Sequence, residues 1–439
     1  MSQKLPRGLK ICPVPFPDQI DPFVSDGLQD ALGVKWLNIL DKAVALACEQ
    51  KIQELFDWKI NNGIDFALFA SGMLKWVPTE NAGGKIIYDV LCLFYFVFDQ
   101  GGINLFQTRI DTTSLDKDQR VVLTKLSKWI RSFAQKMGTF MSTKTSLTLD
   151  SYQTFVQSPL FHLEEANVPA GGFQTFNDLF ARQLIQGMRP ISCPKDDRVI
   201  VYPADSTFDG AWPVDTHGRV HIDTYEMQTA SIKGIDWPII ALLEGSEYAK
   251  YFNGGIWMHA FLNTYDYHRQ HAPVGGTVVE AKKISGLAYL NVIPETVDGE
   301  VHLRPHRNFK QTRYVRKGDS EEDMDAPDDP GYEFLQERAC IVIKNDVVGH
   351  VAVLPIGMAQ VSSVVLNKAI VPVSGQPLPT IKKGDEISHF EFGGSDIVLV
   401  FEAAAKVLVL GATAPLPNGD SKGQKYLVGE ALGIASLGT

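Results

Sequence analysis

Residues 382–402 read KKGDEISHFEFGGSDIVLVFE. The stretch ends in a run of Ile, Val, Leu and Phe (397–401), the composition of a strand buried on both faces. Gly393-Gly394-Ser395 stands directly before it. Two glycines let a backbone approach closely and adopt angles closed to other residues, so the pattern predicts Ser395 at a strand start. A plain glycine turn between strands uses the same residues.

Similar runs recur on either side: RVIVYPAD (198–205), TVVEAKKI (277–284), CIVIKND (340–346), GHVAVLPIG (349–357) and KVLVLGAT (406–413). Many short strands separated by Gly, Pro and Asp predict a barrel or sandwich. The first ~160 residues instead have helical spacing. Trp36, Leu37, Leu40, Val44 and Ala47 form one stripe after a polar start at Ser25–Asp26, and Asn61-Asn62-Gly63 is read as its stop. Val121, Val122, Leu126, Trp129, Ile130, Phe133 and Met137 form another, with Gly138 as candidate C-cap. A short helix is expected over Phe176–Gln186, capped by Thr175 with Asp178 at its third position. The expected class is α+β: a helical domain over 1–165 without visible chemistry, then a β-rich catalytic domain over 166–439.

The 439 residues carry a net charge of −10 and 10% aromatics, enough for a sizeable core and no basic face for nucleic acid. Five scattered cysteines, at 12, 48, 92, 193 and 340, form no CxxC pair and suit reduced thiols. The most apolar run, IIYDVLCLFYFVF (86–98), has 13 residues and contains Asp89, so a buried helix is expected and not a membrane span. No signal-peptide core follows the N-terminus, and the expected location is the cytoplasm. GDSEEDMDAPDDP (318–330) holds seven acids and no base. It reads as a solvated insertion and lacks the EF-hand spacing.

No P-loop, dinucleotide fingerprint, HExxH or GxSxG occurs. Three polar sites lie beside the strands. YHRQHAPVGG (267–276) brings His268 and His271 to a turn, as metal ligands or as structural histidines; no further zinc ligand has suitable spacing, and no metal is expected. Asp205 ends a strand, where Asp also serves as a turn residue. Ser395 is the third. Asp, His and Ser together are the inventory for an activated serine nucleophile.

At this point the chain resembles the phosphatidylserine decarboxylase family of pyruvoyl enzymes. The matching blocks are FNDLFARQLIQGMRPI (176–191), YPADS (202–206), YHRQHAPVGGTV (267–278), PIGMAQVSS (355–363), residues 382–402 and VGEALG (428–433). The resemblance implies a zymogen that cleaves itself between Gly394 and Ser395. Asp205, His271 and Ser395 would form the triad, with Gly393 supporting the cleavage site and Ser395 converted into the pyruvoyl cofactor. That group would take a substrate amine as a Schiff base, and His268 would return a proton after CO2 leaves. The family also tends to form homodimers.

Three departures stand out: no apolar anchor, an added helical domain, and Asp396 after the serine. With the IGM…VSS block, they look closer to the soluble fungal tryptophan decarboxylase-like branch. That likeness implies a small-molecule substrate, an aromatic L-amino acid such as tryptophan. The alternatives are phosphatidylserine decarboxylation to phosphatidylethanolamine, or a scaffold that does not process. Phe390, Phe392 and Met258 are candidates for an aromatic pocket, or for core.

Overall fold

The computed structural model describes residues 11–225, 232–305, 309–310, 323–325, 331–360, 364–411, 413–415 and 421–436. Most of the acidic loop 318–330 and residues 361–363 of the PIGMAQVSS block lie outside them.

The N-terminal part is helical as expected, with different breaks. Helices α1 (Pro22–Leu32) and α2 (Trp36–Glu49) are separated at Gly33, whose φ of 85° favours glycine. After α3 (Gln53–Asp57), Asn62 does not stop a helix but starts one: its side chain caps α4 (Gly63–Met73) by accepting from Asp65 N–H. Helix α5 (Ile86–Phe98) is the apolar 13-residue run, and every residue but Tyr88 is buried. Among the described residues, no helix is long and apolar enough to cross a membrane. Helix α6 (Lys125–Met141) is capped by Thr124, and Gly138 is a buried residue inside it, not its C-cap. Helix α7 (Leu149–Gln157) follows. Helix α8 has the Thr175–Asp178 capping box but is shorter than expected, Phe176–Phe180. Beyond it Arg182 turns inward and donates to the carbonyls of Phe161 and Tyr265.

The main sheet has eight strands, all antiparallel, in the order Thr380–Ile381, Gly276–Ile284, Arg338–Asn345, Gly349–Gly357, Ser395–Phe401, Ile256–Leu262, Ser206–Pro213, Lys425–Tyr426. Its two edge strands do not pair with each other, so the sheet is open and the expected barrel is corrected. A three-stranded sheet beside it joins Val364–Leu366, Glu386–Phe390 and Arg269–His271.

Alternation divides the central strand between two cores. Ile397, Leu399 and Phe401 join a cluster that continues through Met258 and Phe392 into Phe94, Phe133 and Phe176 of the helices. Val398 and Val400 join a second cluster with Trp257 and Leu354 on the other face. The helical part is therefore packed on the face of the sheet toward which Ser395 projects, and Asp396 projects to the other face.

Candidate active site

Ser395 opens the central strand, paired with Gly357 on one side and Leu262 on the other. It is 1% exposed, and among the described residues its hydroxyl has no hydrogen-bond partner. The peptide before it is held from outside. Met358 N–H donates to the Gly394 carbonyl at 2.9 Å, and Gly394 N–H donates to Ala359 O at 2.9 Å. Phe392 N–H donates to Asn177 Oδ1 at 3.0 Å, which ties this loop to α8. Gly393 has φ 145°, a conformation essentially confined to glycine. Gly394 does not: a Cβ there would lie 3.7 Å from Met358 Cβ, an ordinary contact. Attack on the Gly394 carbonyl would place negative charge on the oxygen that Met358 N–H already faces, the geometry of an oxyanion donor.

Helix α5 forms part of the wall. Tyr88 and Leu91 line a small cavity with Leu262, Thr264, Met358 and Ser395. Tyr88 Oη donates to Asn263 at 3.2 Å, and Tyr95 Oη accepts from Gln360 N–H at 3.1 Å. The helical part therefore reaches the site, a correction to its reading as a domain without chemistry. The signal was present in the sequence: Tyr88, Leu91 and Tyr95 recur at i, i+3 and i+7, one face of a helix. Phe390, Phe392 and Met258, in contrast, are fully buried in the shared core.

His271 lies on the strand Arg269–His271, and its backbone N–H donates to Pro203 O at 2.7 Å, beside the Asp205 block. Its Nδ1 is 2.7 Å from Gly384 O. A carbonyl only accepts, so Nδ1 carries the proton and Nε2 accepts from Tyr267 Oη at 3.0 Å. Burial lowers its pKa and keeps the imidazole neutral. His268 is wholly buried and stacked on Phe180, with centroids 3.9 Å apart. Burial, then the nearby Arg182 and Lys425, hold its pKa well below the ordinary imidazole range.

Asp205 was expected to orient His271. Its hydrogen bonds go instead to Arg189, which offers Nε at 2.9 Å and Nη2 at 2.6 Å, and to Val428 N–H at 2.8 Å. Arg189 also pairs with Glu165 at 2.9 Å. Asp205 and Arg189 line a cavity of about 560 Å³ with Arg182, Asp266, Tyr267 and Lys425. Sequence reading missed Arg189, Met358 and Tyr88 as parts of the site. Arg189 stood within a quoted block, but nothing local showed that it would bind an aspartate sixteen residues on. Among the described residues no hydrogen bond links Asp205, His271 and Ser395 to one another; His271 N–H reaches Pro203, and Thr207 pairs with Phe261 next to the Leu262 that pairs with Ser395.

The fold and this arrangement define a chain with a buried serine poised behind a held glycine carbonyl. The phosphatidylserine decarboxylase model matches residues 176–434, more than half of the chain. The chain belongs to the phosphatidylserine decarboxylase family, whose enzymes are pyruvoyl-dependent carboxy-lyases formed from proenzymes. It is 27% identical over 287 residues to phosphatidylserine decarboxylase proenzyme 3 of Schizosaccharomyces pombe, covering 65% of this chain and 24% of that protein. It is 28% identical over 303 residues to proenzyme 2 of Oryza sativa subsp. japonica, covering 69% and 40%. The Myxococcus xanthus proenzyme is 27% identical over 278 residues, covering 61% and 82%. The chain thus spans well under half of the first two relatives' length and most of the third's.

Proposed function

We propose that this chain is a proenzyme that cuts itself between Gly394 and Ser395 and decarboxylates the serine headgroup of phosphatidylserine to give phosphatidylethanolamine. The observation that carries the cut is the Ser395 hydroxyl, buried and unbonded, next to a Gly394 carbonyl held by Met358 N–H. Neutral His271 takes the hydroxyl proton through Nε2, which must first exchange its bond from Tyr267. A new bond from Ser395 Oγ to the Gly394 carbonyl carbon replaces the Gly394–Ser395 amide, whose nitrogen takes the proton back from His271, leaving an ester and a free amine. Elimination releases the Gly394 carboxylate, and water then removes ammonia to leave a pyruvoyl at 395. The cut separates residues up to Gly394 from those that begin at Ser395.

An orphaned buried hydroxyl at a strand end fits a group built in place. That group supplies an electron sink for the loss of CO2. Met358, Tyr88 and Leu91 exclude water around it. His268, the family-matched group for returning a proton to the substrate carbon, is held neutral here, so it must first acquire that proton during turnover.

The relatives' names support phosphatidylserine as the substrate, and none supports tryptophan or another free aromatic amino acid. The cavity of about 560 Å³ offers groups of both signs, Arg182 and Lys425 against Asp205 and Asp266, which suits a headgroup that carries an ammonium beside an anionic carboxylate and phosphate. That no described helix is long and apolar enough to cross a membrane does not oppose this, because a lipid can be met at a surface. A denaturing gel tests the cut: wild type gives two bands and Ser395→Ala one. CO2 release from dispersed phosphatidylserine, tryptophan, phenylalanine and tyrosine tests the substrate. Release from tryptophan alone overturns the lipid reading.

A further inference from the structure

Behind Ser395, on the other face of the sheet, lies a buried set of charges that the proposed reaction does not use. His259, from the strand Ile256–Leu262, and Asp396, from Ser395–Phe401, are both 0% exposed. His259 Nδ1 is 2.7 Å from Asp209 Oδ2 on the strand Ser206–Pro213. Its Nε2 lies 3.4 Å from Asp396 Oδ2 and 3.5 Å from Glu333 Oε1. Tyr332 Oη donates a short bond to the same Asp396 oxygen and reaches Met358 Sδ at 3.9 Å. The indole of Trp257 lies parallel to the imidazole, 5.6 Å away. One neighbouring strand, through His259, and one turn, through Tyr332, thus meet on the residue that follows Ser395; a further strand joins through Asp209 on His259, and Tyr332 also touches Met358, whose N–H holds Gly394.

Buried charges of this kind are costly and add little stability over apolar residues of the same size, so fixing one geometry is their best-supported use. The position has a particular need for that. Once the Gly394–Ser395 bond is cut, residue 395 is a chain end on the ladder to Gly357 and Leu262, and strand ends fray. Asp396 is the first side chain inward from that end.

We infer that the Asp396–His259 pair is a positioning device that fixes the end of the central strand, and with it the reacting group, after the chain is cut. This rests on the self-cleavage reading above. The pair acts by holding the backbone of residues 395–396 against the strand Ile256–Leu262, while Asp209, Glu333 and Tyr332 keep both partners in place.

The test uses the full chain, with Asp396→Asn, His259→Gln and the double variant. Splitting is followed on gels, formed carbonyl is titrated with phenylhydrazine, and kcat and KM for dispersed phosphatidylserine are expressed per carbonyl. Each single variant is expected to lose about tenfold or more in kcat per carbonyl, with KM within about twofold. The double variant is expected to be no worse than the worse single, because the two act as a unit. Unchanged kcat per carbonyl, or losses that multiply, overturns the inference. Should these variants fail to fold, Tyr332→Phe removes only the hydroxyl on Asp396. It is expected to lower kcat per carbonyl several-fold, and wild-type kcat there also overturns it. An uncut wild type overturns the self-cleavage reading and this inference with it; a cut wild type with indifferent variants overturns this inference alone.

Discussion

Met358 donates its backbone N–H to the carbonyl oxygen of Gly394 at 2.9 Å, on the residue just before Ser395. The adjacent glycines therefore have different duties, although the sequence presents them as a pair. Gly393 sits at φ 145°, whereas Gly394 has room for a methyl group. Gly393→Ala is expected to cost about 1–3 kcal/mol and to slow splitting markedly. Gly394→Ala should split at close to the wild-type rate. A time course on denaturing gels checks both, and equal behaviour of the two variants refutes the division.

His268 is buried, neutral and stacked on Phe180. On the proposed reading such a group serves the decarboxylation step and not the cut. His268→Asn should yield two bands on a gel while CO2 release falls by about 10²-fold or more. A variant that remained uncut would move His268 into the processing machinery.

Arg189 grips Asp205 with Nε and Nη2 at the edge of the large cavity, and both side chains are nearly buried. Removing one partner of such a pair leaves an uncompensated charge, at a cost of about 3–5 kcal/mol. Arg189→Ala is expected to lower the melting temperature accordingly. Arg189→Lys cannot reproduce the fork and should recover only part of the loss. Thermal melts of the three proteins decide this.

Stability should depend on pH in two opposed ways. Burial and Arg269 push His389 down from 6.5 to about 4, and His268 and His271 are lowered as well. The unfolded chain then binds more protons below about 6.5, so this contribution is present above 6.5 and is lost as pH falls toward 4. Glu80 runs the other way. Burial raises it from 4.5 to about 7, so its contribution is full below 4.5 and is lost as pH rises toward 7. His389→Gln should flatten the first limb by about one proton and Glu80→Gln the second, read from denaturant titrations across that range. Unaltered slopes would show that neither group carries the effect.

Much of the fold was legible locally. The run 349–357 is a strand over those residues, and 86–98 is a helix over those residues. Short-range composition and period decide such elements. Breaks were less legible, because Asn62 can end one helix or cap the next and only packing chooses. The open sheet was not legible at all: strand order and edges are set by pairings between residues far apart, such as Thr380 with Thr277.

The site divides in the same way. The sequence by itself determined that Ser395 follows two glycines at the start of a strand, and that Asp205, His268 and His271 stand beside other strands, because residue type and spacing are local. Only the tertiary structure decided what each of them touches. Asp205 meets Arg189, His271 meets Gly384 and Tyr267, and the carbonyl before Ser395 meets Met358. It also decided that Asp396, a mere variation when read along the chain, faces His259 across the strands. Alternation along a strand sends neighbours to opposite faces, so the residue beside the nucleophile answers to a different core.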